Sequence, residues 1–153
     1  MNFRDVSERL GNLQTFFWET FGDAERKCNT FGGHLASIHS EKENSIVIEM
    51  AKSGIRLTHN TCCQMTWIGL VRSDYMNFSA SKTVKWTWTD GTEVDFLSWY
   101  PGGPDNWNND QGCAALYADP FAEDDNVKFY QKWNDVECSL NLRNYVCKKM
   151  TLH

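Results

Sequence analysis

The sequence predicts a single α+β domain that is held together by disulfide bonds. Helical patterns come early in the 153 residues and strand patterns come late, which is the order typical of an α+β fold. Six cysteines are more than a cytosolic domain of this size usually carries. Hydrophobic residues make up 41% of the chain, which is long enough to bury most of its apolar surface in one core.

Two helices are predicted in the first third of the chain, each beginning at a capping box. In the first box Thr20 caps the helix and Asp23 reaches back to free backbone amides, and Gly32-Gly33 end the helix. Ser40 and Glu43 form the second box. The apolar stripes behind the boxes are Phe21, Ala24, Cys28 and Phe31 in the first helix, and Ile46, Val47, Met50 and Ala51 in the second.

Strand patterns dominate the second half of the sequence. The predicted strands are 66–70, 84–88 and 145–147. Asp90 and Gly91 predict a hairpin turn, after which Val94 and Phe96 resume the alternation of a strand. Residues 100–112 are rich in Pro, Gly, Asn and Asp, which predicts a long loop with many oxygen ligands.

Charge and missing motifs exclude several classes of function. The net charge is −5 and no cluster of Lys and Arg could follow a phosphate backbone, so we expect no nucleic-acid partner. No apolar run is long enough to span a bilayer. His34 and His39 lack nearby Cys or His partners, and no nucleophile motif such as Gly-x-Ser-x-Gly is present. We therefore predict that the protein is not an enzyme.

The cysteines predict an oxidising compartment. Zinc binding is the competing interpretation, but it would require paired Cys-x-x-Cys or Cys-x-x-His ligands, which are missing. Four cysteines are widely spread, as suits disulfides: Cys28, Cys113, Cys138 and Cys147. The first residues lack the features of a signal peptide. Either a leader was removed and Met1 was added for expression, or the disulfide interpretation is wrong. We favour the first, and hence an extracellular protein.

Several segments follow one another in an order that resembles a known family. They are Ala-Glu-Arg-Lys-Cys at 24–28, Gly-Gly-His-Leu-Ala-Ser-Ile at 32–38, Trp-Ile-Gly-Leu at 67–70, Trp-Thr-Trp-Thr-Asp-Gly at 86–91, Gly-Pro-Asp-Asn-Trp at 103–107, Cys113, Trp-Asn-Asp at 133–135 with Cys138, and Tyr-Val-Cys at 145–147. Together they resemble the C-type lectin-like domain over residues 13–149. Residues 1–12 would then be an N-terminal extension and 150–153 a C-terminal tail.

The resemblance implies a fold and its disulfides. The expected fold has two helices, a lower antiparallel sheet that holds the termini together, and a long upper loop region with a smaller sheet. The implied disulfides are Cys28–Cys147 and Cys113–Cys138. Cys62 and Cys63 fit neither pair: they could bond to each other, stay reduced, or bridge to another chain in a disulfide-linked oligomer.

The resemblance also implies a calcium site in which the metal and its ligands bind sugar hydroxyls. Asp105 follows Pro104, the expected cis-proline, and is the residue found in members that prefer galactose. Gly103 has no side chain where the family has Glu or Gln, and Gln111 stands where it has Glu. The expected metal ligands are Asp105, Gln111, Asn134 and Asp135, with Asp110 as a substitute if the loop shifts.

Two aromatic residues flank the loop, and two functions remain open. Trp107 and Tyr100 could stack on a sugar ring, which would add Trp107 to the ligand-binding residues, but we favour Trp107 as a core anchor of the loop. The favoured function is calcium-dependent recognition of a glycan or glycoprotein by a secreted or cell-surface protein. The alternative is a calcium-independent module that binds a protein partner. Asp105, Asn134 and Asp135 favour a metal, whereas Gly103 and Gln111 count against one.

Overall fold

The computed structural model describes residues 12–58, 63–76, 84–122 and 128–149. Its elements in chain order are β1 (Asn12–Glu19), α1 (Phe21–Thr30), β2 (His34–Leu35), α2 (Glu41–Ala51), β3 (Thr66–Arg72), α3 (Ser73–Met76), β4 (Trp86–Trp88), a 3-10 turn (Trp107–Asn109), β5 (Gln111–Leu116), β6 (Trp133–Glu137) and β7 (Leu142–Lys149). The predicted tail, Cys62 and nearly all of the predicted N-terminal extension lie outside the described residues. No described helix is long and apolar enough to cross a membrane.

Helix α1 begins at the predicted cap, although Asp23 accepts from the Thr20 hydroxyl rather than from a backbone amide. The Thr20 hydroxyl accepts a hydrogen bond from the Asp23 amide and caps the helix. Phe21, Ala24 and Cys28 are buried against the sheet. Phe31 was predicted to continue this stripe, but its side chain is 46% exposed because it lies past the end of the helix and stacks on Phe16 instead.

Helix α2 is also confirmed, but its buried face differs from the predicted apolar stripe. Ile46 and Met50 are only half-buried, whereas two polar residues, Glu43 and Asn44, are buried. Asn44 is buried because its side chain satisfies polar groups at β6: Oδ1 accepts from the indole Nε1 of Trp133 at 2.9 Å. Helix α2 therefore fixes the strand that carries Asn134 and Asp135.

The strands form one connected sheet in the order β1-β7-β3-β5-β6, with β2 on β7 and β4 on β3. Strand β1 runs antiparallel to β7 from Asn12 opposite Lys149 to Glu19 opposite Leu142, so the two ends of the domain lie side by side. The pairings between the named strands are antiparallel apart from β3 with β7, which is parallel and joins the two predicted sheets into one. Two isolated bridges, Leu57 with Phe121 and Trp99 with Trp133, are also parallel. The α+β class and its antiparallel character are confirmed.

Strands β3 and β7 are buried on both faces and separate two cores. Trp67 and Tyr145 face the core under α1, and the next residues, Ile68 and Val146, face the core under α2. Successive side chains of a strand point to opposite faces, which produces this division. The sheet thus lies between the two helices. The long loop borders β5 and β6, which lie toward the edge of the sheet opposite β1.

The predicted hairpin at Asp90 is only half right. The turn exists, since the Gly91 amide donates to the Trp88 carbonyl at 3.0 Å. Residues 92–98 do not return as a strand, because β4 already pairs with β3. Val94 and Phe96 instead pack as side chains on the core that contains Trp133.

Both disulfides implied by the resemblance are present. Cys28–Cys147 ties α1 to β7 across 119 residues of sequence. Cys113–Cys138 ties β5 to the residue that follows β6. The second bridge holds together the two strands that border the long loop.

Candidate functional site

The loop that carries the predicted ligands starts and ends on the β5–β6 pair. At its start the Trp133 amide donates to the Ser98 carbonyl at 2.8 Å, and the Tyr100 amide donates to the Trp133 carbonyl at 2.9 Å. At its end the chain enters β5 at Gln111, opposite Glu137 of β6. The peptide bond between Gly103 and Pro104 is cis, as the resemblance implied.

Asp135 is hydrogen-bonded to the backbone of this loop. Its side chain is fully buried on β6, and its two carboxylate oxygens accept from two successive loop amides. Oδ1 accepts from the Asp105 amide at 3.1 Å, and Oδ2 accepts from the Asn106 amide at 2.6 Å. Each oxygen keeps a further lone pair. The structure thus brings together the two segments that the resemblance paired.

Asp105 lies on the outer side of the same contact and is exposed. Its Oδ1 accepts from the Trp107 amide at 3.1 Å, which closes a tight turn. Its Oδ2 accepts from the Tyr100 hydroxyl at 3.1 Å. Burial and this hydrogen bond together raise the pKa of Tyr100 to about 12.

Gln111 stabilises the loop rather than extending from it. Its side-chain Oε1 accepts from the Trp107 amide at 2.9 Å, and its own amide donates to Oδ1 of Asn106 at 3.2 Å. An amide oxygen can accept twice, so this bond leaves it one further lone pair.

Asn134 and Asp110 are held by tyrosines that the sequence did not single out as site residues. The Asn134 side-chain nitrogen donates to the Tyr117 hydroxyl at 3.2 Å, a bond in which the amide oxygen Oδ1 takes no part. The Tyr75 hydroxyl donates to Oδ1 of Asp110 at 2.8 Å, a bond that raises the pKa of Tyr75 to about 12. A side chain on Gly112 would collide with the Tyr75 ring, so the ring lies close against the backbone at this glycine.

Trp107 is not the core anchor that we favoured. Its side chain is 68% exposed. The amide of Trp107 is tied to Asp105 and Gln111, and Asn106, Asn108 and Asn109 on either side have positive φ angles of 47°, 60° and 58°. Asparagine tolerates this left-handed conformation better than most residues, and the resulting turn directs the indole outward.

The donor atoms of the site fit calcium in kind. Asp105 and Asp135 offer carboxylate oxygens, and Asn134 and Gln111 offer amide oxygens, which are the ligand types that calcium takes. Asp105 and Asp135 are in direct contact, because the Asp105 amide donates to Oδ1 of Asp135 at 3.1 Å. Burial raises the pKa of Tyr117, and the charges of these two carboxylates add to the rise. No three Asp, Glu, His or Cys side chains gather as a metal cluster in the described part of the chain. Asp110 is therefore not brought in as a third carboxylate.

Comparison with known proteins identifies the family to which this arrangement belongs. The sequence profile described as "Lectin C-type domain" matches residues 18–149. The chain belongs to the C-type lectin family. As a lectin domain it belongs to a kind of binding domain that is not enzymatic.

Individual relatives of this C-type lectin domain differ in what their names describe. An alpha-N-acetylgalactosamine-specific lectin from Patiria pectinifera is 35% identical over 148 residues, which cover 92% of this chain and 76% of the relative. Among solved structures, CEL-IV has a TM-score of 0.67 at 28% identity and covers 92% of this chain and 88% of its own. A calcium-independent type II antifreeze protein has a TM-score of 0.60 at 26% identity, with 91% and 87% covered.

Proposed function

We propose that this C-type lectin domain recognises glycans at the loop of residues 100–111 and the adjoining β6, with calcium held by Asp105, Gln111, Asn134 and Asp135. The observation that carries the proposal is the pair of hydrogen bonds from the Asp105 and Asn106 amides to Asp135. These bonds place the loop motif directly over the Trp-Asn-Asp strand. Bound there, calcium would supply two coordination positions for neighbouring sugar hydroxyls.

Four protein side chains with oxygen ligands, of which only two are charged, support weak rather than tight binding of the metal. Calcium affinity rises with the charge and rigidity of its ligands, and this set has two carboxylates and two amides. The ligands are rigid, because Asp105, Gln111 and Asp135 each accept hydrogen bonds from loop amides. We therefore expect a dissociation constant on the order of 10⁻⁴–10⁻³ M, as in extracellular calcium modules.

The exposed indole of Trp107 favours, as the ligand, a sugar whose ring has an apolar face. It lies two residues after Asp105, and their neighbouring positions would let a ring stack on Trp107 while its hydroxyls bind Asp105. Galactose and N-acetylgalactosamine present such a continuous patch of C–H groups. The resemblance of Asp105 to galactose-preferring members and the name of the relative from Patiria pectinifera point to the same sugars.

Calorimetric titration of calcium into the chelator-treated, oxidised protein tests the metal site. Asp105→Asn should weaken calcium binding at least tenfold because a charged ligand is lost. Asp110→Asn is the matched control: it removes a neighbouring acidic charge that Tyr75 holds outside the ligand set, and should change affinity by less than about twofold. An Asp110 variant that loses calcium as fully as the Asp105 variant would contradict this ligand assignment.

A second candidate function is calcium-independent binding of a protein partner through the same loop. The observation that favours it is that Asp105, Gln111 and Asp135 each accept hydrogen bonds from loop amides, which use part of the capacity that a metal would need. A neighbour with this fold is described as a calcium-independent type II antifreeze protein, which supports a function of the fold that does not need calcium. Ligand binding that persists unchanged in chelator would favour this candidate.

The setting that fits either function is extracellular. Two disulfides hold the domain, and such bonds persist in oxidising compartments. We infer a secreted or cell-surface protein. Whether Cys62 or Cys63 joins two chains stays a prediction, to be read from the mass of the non-reduced protein.

A further inference from the structure

Tyr100 lies where a side chain at position 103 would begin. A Cβ atom built on Gly103 would be 2.5 Å from Cε1 and 2.7 Å from Cδ1 of the Tyr100 ring. Both distances are shorter than real Cβ contacts, so the ring and a side chain at 103 exclude each other in this arrangement. The absence of a side chain at Gly103 is therefore matched by an aromatic ring in its place.

The position of Tyr100 is fixed at three points. Its amide donates to the Trp133 carbonyl on β6 at 2.9 Å. Its ring packs against Phe129, with the centroids 5.4 Å apart. Its hydroxyl donates to Oδ2 of Asp105 at 3.1 Å. The tyrosine is thus anchored beside the proposed ligand carboxylate.

The Tyr100 hydroxyl keeps hydrogen-bonding capacity toward the outside. Its proton is donated to Oδ2 of Asp105. Its oxygen therefore has lone pairs left to accept a hydrogen bond. The residue is only partly buried, so a ligand can reach this oxygen.

We propose that the Tyr100 hydroxyl accepts a hydrogen bond from a sugar hydroxyl, in place of the contact that residue 103 cannot make. The proposal rests on the glycan-binding function proposed above. It assigns to the ligand two adjacent ring hydroxyls, one bound by Tyr100 and the other by Asp105. A galactose-type sugar with its 3- and 4-hydroxyls meets this requirement.

The test compares Tyr100→Phe with the wild type, using methyl N-acetylgalactosaminide and its 3-deoxy and 4-deoxy forms in calorimetric titrations with calcium. The variant keeps the ring and loses the hydroxyl, so affinity for the parent sugar should fall about fivefold, as for one lost hydrogen bond. The deoxy sugar that lacks the hydroxyl bound by Tyr100 has no such contact to lose, so the wild type and the variant should bind it with equal affinity. Tyr75→Phe is the matched control, because it removes a hydroxyl held by Asp110, and should stay within about twofold.

The outcomes separate this inference from the function on which it rests. If the wild type binds no form of the sugar, recognition of galactose-type glycans is overturned and the Tyr100 contact with it. If the wild type binds and Tyr100→Phe binds every sugar equally well, only the Tyr100 contact is overturned. A loss that is the same for parent and both deoxy sugars, or a parallel loss of calcium affinity in sugar-free titrations, would show positioning of Asp105 instead and contradict direct contact.

A double variant tests whether a loss of sugar affinity in Tyr100 variants comes from the lost contact rather than from misfolding. The double substitution Tyr100→Ala with Gly103→Gln exchanges the ring for a side chain at 103, which then has room. It should bind the sugar more tightly than Tyr100→Ala alone. Gly103→Gln alone should bind worse than the wild type, because the new side chain meets the Tyr100 ring. Equal binding by Gly103→Gln and the wild type would contradict the exclusion on which the proposal depends.

Discussion

Asp135 and Asp105 differ in burial although they share a site. Asp135 is fully buried and accepts from two loop amides, whereas Asp105 is exposed and accepts from one amide and one tyrosine hydroxyl. A buried acceptor that satisfies two amides contributes to stability, because its removal takes away both hydrogen bonds at once. At the scale of single residues, Asp135 therefore stabilises the loop, whereas Asp105 presents its carboxylate at the surface.

This difference predicts unequal losses of stability in calcium-free buffer. Asp135→Ala should lower the free energy of unfolding by about 2–4 kcal/mol, since two amides lose their acceptor. Asp105→Ala, its exposed counterpart, should cost less than about 1 kcal/mol. Urea denaturation in chelator measures both values. Equal losses in the two variants would contradict the structural role of Asp135.

Trp107 should contribute to glycan affinity without contributing to stability. Trp107→Ala is expected to weaken binding of methyl N-acetylgalactosaminide up to about tenfold, the upper end of what one aromatic contact supplies. Trp18→Ala is the matched control, because Trp18 is similarly exposed but lies on β1, away from the loop. Calorimetry gives the affinities and thermal unfolding checks the fold. Equal effects of the two substitutions would contradict a binding role for Trp107.

At the scale of elements, the turn after β4 depends on one carboxylate. Asp90 accepts from the Ser37 hydroxyl at 2.5 Å and from the Thr92 amide at 3.0 Å. Burial alone would raise the pKa of Asp90, but the hydrogen bonds from Ser37 and Thr92 outweigh it and lower this pKa. The ionised form is thus favoured in the folded state, and it fixes the segment that leads to the ligand loop.

Because the pKa of Asp90 is lower in the folded than in the unfolded protein, its stabilising effect is present above the ordinary aspartate pKa and is lost as the pH falls. The difference in melting temperature between the wild type and Asp90→Asn should therefore shrink below about pH 4. Thermal unfolding between about pH 2 and 6 measures it, with the exposed neighbour variant Glu93→Gln as control. A difference that grows on acidification would contradict this sign.

Local signals predicted the helices well and the strands unevenly. Both capping boxes act within four residues, so α1 and α2 could be predicted before any tertiary contact was known. Strand β5 was missed because Gly112, Ala114 and Ala115 have weak strand propensity and are strand residues only through pairing with β3 and β6. Strand β1 was missed because three aromatic residues in succession, at 16–18, break the period-two pattern.

The candidate site was predicted by resemblance more than by local pattern. The cis-proline and the position of Asp135 opposite the loop followed from the family motif. The outward direction of Trp107 and the bond between Tyr100 and Asp105 could not be predicted, because they depend on local backbone angles that residue type does not fix. The contact of Tyr75 with Asp110 could not be predicted because it depends on how distant segments meet. Tyr75 and Asp110, for example, are 35 residues apart.

At the scale of the whole molecule, the loop of residues 100–111 lies on the β5–β6 pair, and this pair of strands is anchored at both ends. The Cys113–Cys138 bridge fixes one end of β5 and β6, and Asn44 of α2 binds Trp133 at the other. Cys28–Cys147 closes the rest of the domain, and such long closures stabilise by about 3–5 kcal/mol in the chain-entropy picture. A rigid base allows a loop with little regular structure to keep ligand geometry.

The most direct test is binding of the wild-type domain to an immobilised glycoprotein with terminal N-acetylgalactosamine, measured by surface plasmon resonance in millimolar calcium and again in chelator. We expect binding in calcium that free methyl N-acetylgalactosaminide competes away and that chelator abolishes. Binding that is the same in calcium and in chelator, or that the free sugar does not displace, would contradict calcium-dependent glycan recognition at this site.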